Sequence, residues 1–66
     1  MMITEIGIIA GEIWNFLEEK KEAHISDISD KLGKSKELVF MSLGWLAREG
    51  HVVLKKENGD YRVSLR

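Results

Sequence analysis

Five cations stand where a docked polyanion would meet them. Lys34 and Lys36 lead into the apolar run Leu38 to Gly50, and Lys55, Lys56 and Arg62 flank Asn58-Gly59 near the C-terminal end of the sequence. Ammonium and guanidinium groups contact phosphate oxygens, and each phosphate neutralised releases counterions. The chemistry these positions offer is therefore salt-dependent binding to a nucleic-acid backbone. Reading bases needs side chains that match base edges, chiefly Arg, Lys, Asn, Gln, Ser and Thr. The apolar run offers Lys36 and Ser42, then Phe40, Met41 and Trp45. No Arg stands at its start for a bidentate guanine contact, which argues against strong sequence reading. Exposed lysine is also an ordinary solubility choice, so the five positions carry both readings.

The second group is aromatic and small. Trp is enriched at binding hot spots, and Trp14 and Trp45 are the two in the chain. Gly7 and Gly11 lie one helical turn apart, and each costs a helix roughly 1 kcal/mol against Ala. That cost suggests a close approach at these positions, by a helix of the same chain or by a partner. Gly7, Gly11, Trp14 and Trp45 are accordingly the expected homodimer contacts, with an ordinary intrachain contact as the competing reading for Trp14.

Other chemistries find little support. Ser26, Ser29 and Ser35 read as caps or turn residues, and His24 near Asp27 belongs to no nucleophile, base and orienting group. There is no phosphate loop, zinc motif or dinucleotide fingerprint. His24 and His51 have no metal-ligand spacing. The expectation is a non-enzyme without cofactor, metal or small-molecule ligand. The chain has no Cys, so it has no disulfides, which fits the cytoplasm. The apolar start carries Glu5 and Glu12 and lacks a signal peptide's basic start and cleavage site. No run approaches the roughly 20 apolar residues of a membrane span.

The net charge of −1 is divided unevenly. Residues 1–30 carry seven acids against two bases, and residues 31–66 carry eight bases against four acids. An acidic front and a basic back are consistent with an electrostatic footprint on the second half. Sixty-six residues make one domain, 1–66, near the lower limit for independent folding. With no disulfide or metal to support it, a homodimer is expected.

These residues need elements to position them. Thr4 is a good N-cap for a first helix, and Ile6, Ala10, Ile13 and Leu17 repeat at helical spacing to its end near Lys21 or Glu22. Residues 23–25 read as a short strand. Ser26 is placed to cap a second helix to Leu32, with Gly33 as its left-handed stop. Ser35 is placed to cap a third helix ending at Gly50. Two helices joined by a tight Gly-containing turn form a helix-turn-helix. Asn58-Gly59 then predicts a type I′ hairpin, with Leu54 opposite Val63 and Val52 opposite Leu65. That register sets Glu57 against Asp60, a like-charge pair. The expected core is Ile6, Ile13, Leu17, Ile28, Leu32, Val39, Leu43, Leu46, Leu54 and Val63.

The pattern is α+β, a winged helix-turn-helix of three helices with a short strand and a C-terminal two-stranded wing. Ala10 to Trp14 (AGEIW) and Gly44 to Gly50 (GWLAREG), with the hairpin after them, resemble a small bacterial and archaeal winged helix-turn-helix family of uncharacterised function. The resemblance covers nearly the whole chain. It implies this fold and a nominal DNA-binding role, and no operator or activity. The expected function is transcription-related binding of nucleic acid, double-stranded DNA in the first instance, as a dimer or in an assembly. The competing function is a protein-protein interaction module that keeps the fold without binding DNA.

Overall fold

A computed structural model describes residues 2–66. Among them, the order is α1 (Met2–Lys20), β1 (Glu22–His24), α2 (Ile25–Leu32), α3 (Lys36–Arg48), β2 (Val52–Glu57) and β3 (Asp60–Leu65). The strands form one antiparallel sheet in the order β1-β3-β2. The expected wing is thus completed by the short strand: Ala23 pairs with Val63 and His24 with Arg62.

The three helices pack on the inner face of this sheet. Ile9, Ala10, Ile13 and Leu17 of α1 meet Ile25 and Ile28 of α2, Val39, Leu43 and Leu46 of α3, and Val52 and Val63 of the wing. Burying one such aliphatic side chain contributes roughly 1.5–3 kcal/mol. Seven of the ten expected core residues are buried: Ile13, Leu17, Ile28, Val39, Leu43, Leu46 and Val63. Leu32 and Leu54 pack against the core at its rim. Ile6 instead lines a surface pocket with Ile3, Gly7 and Trp45, at the open edge of the contact between α1 and α3. Ile25, expected in the strand, is the first residue of α2 and is fully buried.

Two of the expected caps are corrected. Helix α1 is already helical from Met2, so Thr4 sits inside its first turn and caps nothing. No Pro or Gly precedes Thr4, and each added residue gains a backbone hydrogen bond once the helix exists. Helix α2 starts at Ile25 after His24, with no side-chain cap. Ser26 therefore lies inside the first turn, and its hydroxyl donates to the Asp60 carboxylate at 2.6 Å, a charge-assisted bond.

The other end signals act as expected. Ser35 accepts from the Leu38 amide and caps α3. Gly33 takes φ +65 after α2. After α3, the Gly50 amide donates to the Ala47 carbonyl and the His51 amide to the Leu46 carbonyl, a Schellman closure. The hairpin register is the expected one, and Asn58 and Gly59 both have positive φ. The Glu57–Asp60 opposition is real, and other partners relieve it. Glu57 is held by Arg62 and His24, and Asp60 by Ser26 and the Tyr61 amide.

Candidate nucleic-acid interface

Phe40 and Tyr61 join α3 to the wing. Phe40 lies on the side of α3 that faces the wing tip, one turn after Lys36. Tyr61 is the second residue of β3 and points inward, towards α3. Their rings meet edge-on, with centroids 5.6 Å apart and planes at 87°. Lys56 is the cross-strand neighbour of Tyr61, and directly opposed residues share a sheet face. The order across the seam between α3 and the wing, called the groove below, is therefore Lys36, Phe40, Tyr61, Lys56. Both lysines are exposed, and Phe40 keeps 45% of its surface.

The structure divides the five expected phosphate contacts. Lys36 and Lys56 border the groove. Lys34 lies in the turn before α3, half-buried, with its amide donating to the Ser29 carbonyl and its carbonyl accepting from the Ser29 hydroxyl. Lys55 and Arg62 are cross-strand neighbours on the opposite face of the sheet. Arg62 is also engaged within the chain. Its Nη2 lies 2.8 Å from Glu57 Oε2, its Nε donates to Glu57 Oε1 at 3.2 Å, and its Nη1 reaches Glu22 at 3.3 Å. A guanidinium committed to two carboxylates is a poor phosphate ligand, so Arg62 is set apart from the lysines. Among the described residues it is the one Lys or Arg in an ion pair.

Helix α3 presents Glu37, Phe40, Met41, Gly44, Trp45 and Arg48 to solvent beside Lys36. Ser42, expected as a polar group for base contact, is corrected. It is fully buried and donates to the Leu38 carbonyl at 2.8 Å, because it falls on the helix face shared by Val39, Leu43 and Leu46.

The outer face of the sheet carries a polar cluster that sequence reasoning did not assemble. His24 Nε2 lies 3.1 Å from Glu57 Oε1. A carboxylate only accepts, so Nε2 carries the proton in this contact. The hydrogen bond from His24, and after it the guanidinium of Arg62, hold the Glu57 carboxyl below its ordinary value against the opposing effect of burial. The Ser26 hydroxyl and the Tyr61 amide do the same for Asp60. Like charges opposed in the hairpin were the available signal. Which partners would answer them depended on β1 pairing with β3.

The expected dimer contacts also separate. Trp14 packs against the core and its ring meets His51, with centroids 4.3 Å apart. Trp45 is 54% exposed. With Ile3, Ile6 and Gly7 it lines a pocket of about 300 Å³ between α1 and α3. A Cβ added at Gly7, Gly11 or Gly44 would meet nothing within 4 Å. No intrachain helix crossing accounts for these glycines, and that part of the expectation is withdrawn. Among the described residues no group of three His, Cys, Asp or Glu is gathered for a metal, and no helix is long and apolar enough to cross a membrane.

Comparison with known proteins places this geometry. Residues 1–65 match the family model described as Winged helix-turn-helix domain (DUF2582). The chain belongs to this winged helix-turn-helix family. A similar protein of Methanocaldococcus jannaschii, the uncharacterized protein MJ1608, is 36% identical over 98% of this chain and 96% of its own length. The solution NMR structure of protein BT2368 from Bacteroides thetaiotaomicron superposes with a TM-score of 0.85 at 32% identity, covering 98% of this chain and 79% of that one. In winged helix-turn-helix terms, α2 and α3 are the helix-turn-helix and β2–β3 the wing. The groove between Lys36 and Lys56 lies between the second helix of the motif and the wing.

Proposed function

We propose that residues 1–66 form a single non-catalytic winged-helix domain that binds nucleic acid through its phosphate backbone, in a transcription-related role and in the cytoplasm. One observation carries this reading. Lys36 of α3 and Lys56 of the wing stand on either side of one groove, joined by the Phe40–Tyr61 contact. Lys34 lies in the turn just before Lys36, and Lys55 lies next to Lys56 on the other face of the sheet. The exposed side chains of α3 favour backbone contact over base reading. They are largely apolar and offer few groups that match base edges, so Lys36 is the polar contact at the start of the helix.

Fluorescence anisotropy with short mixed-sequence DNA, duplex and single-stranded, tests the reading at about 50 and 200 mM salt. Three or four lysine contacts give a log–log salt slope of about −2 to −4. Lys36→Ala and Lys56→Ala should each flatten it by about one unit, and Lys55→Ala by less. Absence of binding to either form at low salt would remove the nucleic-acid reading.

A second reading has its own observation. Trp45, at 54% exposed, walls an apolar pocket with Ile3, Ile6 and Gly7, and Met41 lies one turn before it at 40%. Large apolar residues gathered on a surface mark interaction sites. They support a protein-protein contact, in the first place with a second copy of the chain, because a pocket and a protruding indole on one face allow each copy to complete the other. Sedimentation across a hundredfold concentration range tests it. A single species of monomer mass throughout would remove the dimer.

A further inference from the structure

We infer that the groove between α3 and the wing is a single-strand nucleic-acid site, in which an unstacked base lies on Phe40 beside Tyr61 while Lys36 and Lys56 hold the phosphates on either side. The inference rests on the backbone-binding reading and names the form of nucleic acid that this surface takes.

Three features of the groove point to a single strand. The first is the platform. Phe40 keeps 45% of its surface although its neighbours Val39 and Leu43 are buried, and the wing is already anchored by buried Val52 and Val63. The ring is therefore available to a ligand. Tyr61, edge-on at 5.6 Å, holds it from the inner side. Bases stack on such rings with little regard to sequence, because every base has a π-face.

The second feature is charge. Lys36 precedes Phe40 by one helical turn, and Lys56 opposes Tyr61 across the hairpin. The carboxylates nearest the wing tip are answered within the chain, Glu57 by Arg62 and His24 and Asp60 by Ser26. Glu37, also one turn before Phe40, flanks the ring on the side away from Lys36. A polyanion thus meets two lysines with an aromatic pair between them, the combination of cationic groove and stacking ring that single strands use.

The third is what a duplex would find. In a duplex the bases are stacked on each other and present edges, which polar side chains read. The part of α3 that would enter a major groove offers Phe40, Met41, Gly44 and Trp45, and the one small hydroxyl on the helix, Ser42, is buried. Phe40 has no stacking partner in an intact duplex.

The test is a titration of the full chain with fluorescein-labelled oligothymidylate and with a hairpin duplex of similar length, at about 50 and 200 mM salt. The single strand should bind more tightly than the duplex. Phe40→Leu, which keeps the apolar contact and removes the ring, should weaken single-strand binding by about 5- to 150-fold, the equivalent of one lost stacking interaction. Lys36→Ala and Lys56→Ala should each reduce the salt slope by about 0.7. Ring protons of Phe40 and Tyr61 should shift in NMR spectra on addition of the oligonucleotide, and the Phe40→Leu chain should melt as the parent does. Equal or tighter duplex binding, with Phe40→Leu neutral, overturns the single-strand site and leaves backbone binding standing. No binding to either oligonucleotide overturns both.

Discussion

The hydroxyl of Ser26 donates to Oδ2 of Asp60 over 2.6 Å, joining residues 34 positions apart. Ser26 is in the first turn of α2 and Asp60 is the first residue of β3, so this bond ties the start of the helix-turn-helix to the tip of the wing. Beside it, His24 holds Glu57, and Glu57 holds Arg62. The wing is therefore clamped from its outer face as well as packed from its inner one.

The clamp predicts an acid-sensitive wing. Glu57 and Asp60 are both held below their ordinary pKa values by hydrogen bonds made in the folded state. A carboxyl whose pKa is depressed by folding adds stability above its unfolded pKa, near 4, and that stability is lost as pH falls through the folded value. Glu57→Gln and Asp60→Asn should each melt below the parent at neutral pH, and the gap should close as pH falls below about 4. Thermal melts from pH 7 to acid read this directly. A gap unchanged down to the acid limit would mean that the carboxylates contribute nothing through their charge.

The start of α3 depends on one hydroxyl. Ser35 Oγ accepts from the Leu38 amide at 3.2 Å. Ser35→Ala should destabilise the fold by about 1 kcal/mol, and Ser35→Asp, which also caps, should restore it. Urea denaturation with an unchanged m-value checks both.

The turn between the wing strands has its own requirement. Gly59 adopts φ +80, a conformation that costs an L-residue roughly 1–2 kcal/mol. Gly59→Ala should lower stability by about that amount, although a Cβ there would meet no neighbour. Denaturant titration checks it, and a neutral result would show that the turn relaxes without cost.

Gly7 and Gly11 separate the monomer from the dimer. Each lies inside α1 with nothing within 4 Å of a built Cβ. In a monomer, Gly11→Ala should therefore raise stability by roughly 0.5–1 kcal/mol. In a dimer seamed along this stripe, Gly11→Leu should dissociate the pair while circular dichroism still reports a helix. Sedimentation and melting of both variants give the two answers. A dimer that survives Gly11→Leu would place the seam elsewhere.

The core sets the scale for these changes. Ile13→Ala or Leu43→Ala removes a side chain that is at most 1% exposed, at an expected cost of about 2–5 kcal/mol. For a domain of this size that approaches the whole stability. Loss of cooperative melting is the expected outcome, and a change under about 1 kcal/mol would contradict the packing described here.

Local signals were legible in the sequence because their physics is local. The α1 stripe from Ala10 to Leu17, the Ser35 cap, the Gly33 and Gly50 stops and the Asn58-Gly59 hairpin each depend on residues within a few positions, and each appears as read. The hairpin turn alone fixed the whole β2–β3 register. Tertiary structure decided what depends on distant partners. Ser26 lost the cap position because α2 starts one residue earlier, after β1, and its hydroxyl found Asp60 across the sheet. Arg62 had the look of a free cation until the β1–β3 pairing set Glu22 beside it and the hairpin brought Glu57 onto the same face. Ser42 and Phe40 differ by two positions on one helix, and only packing placed the first in the core and the second at the wing groove. A side chain's type fixes what it can bind. Which partner reaches it is set by the fold, because pairing of distant strands and helices decides which charged and polar groups come within hydrogen-bonding distance.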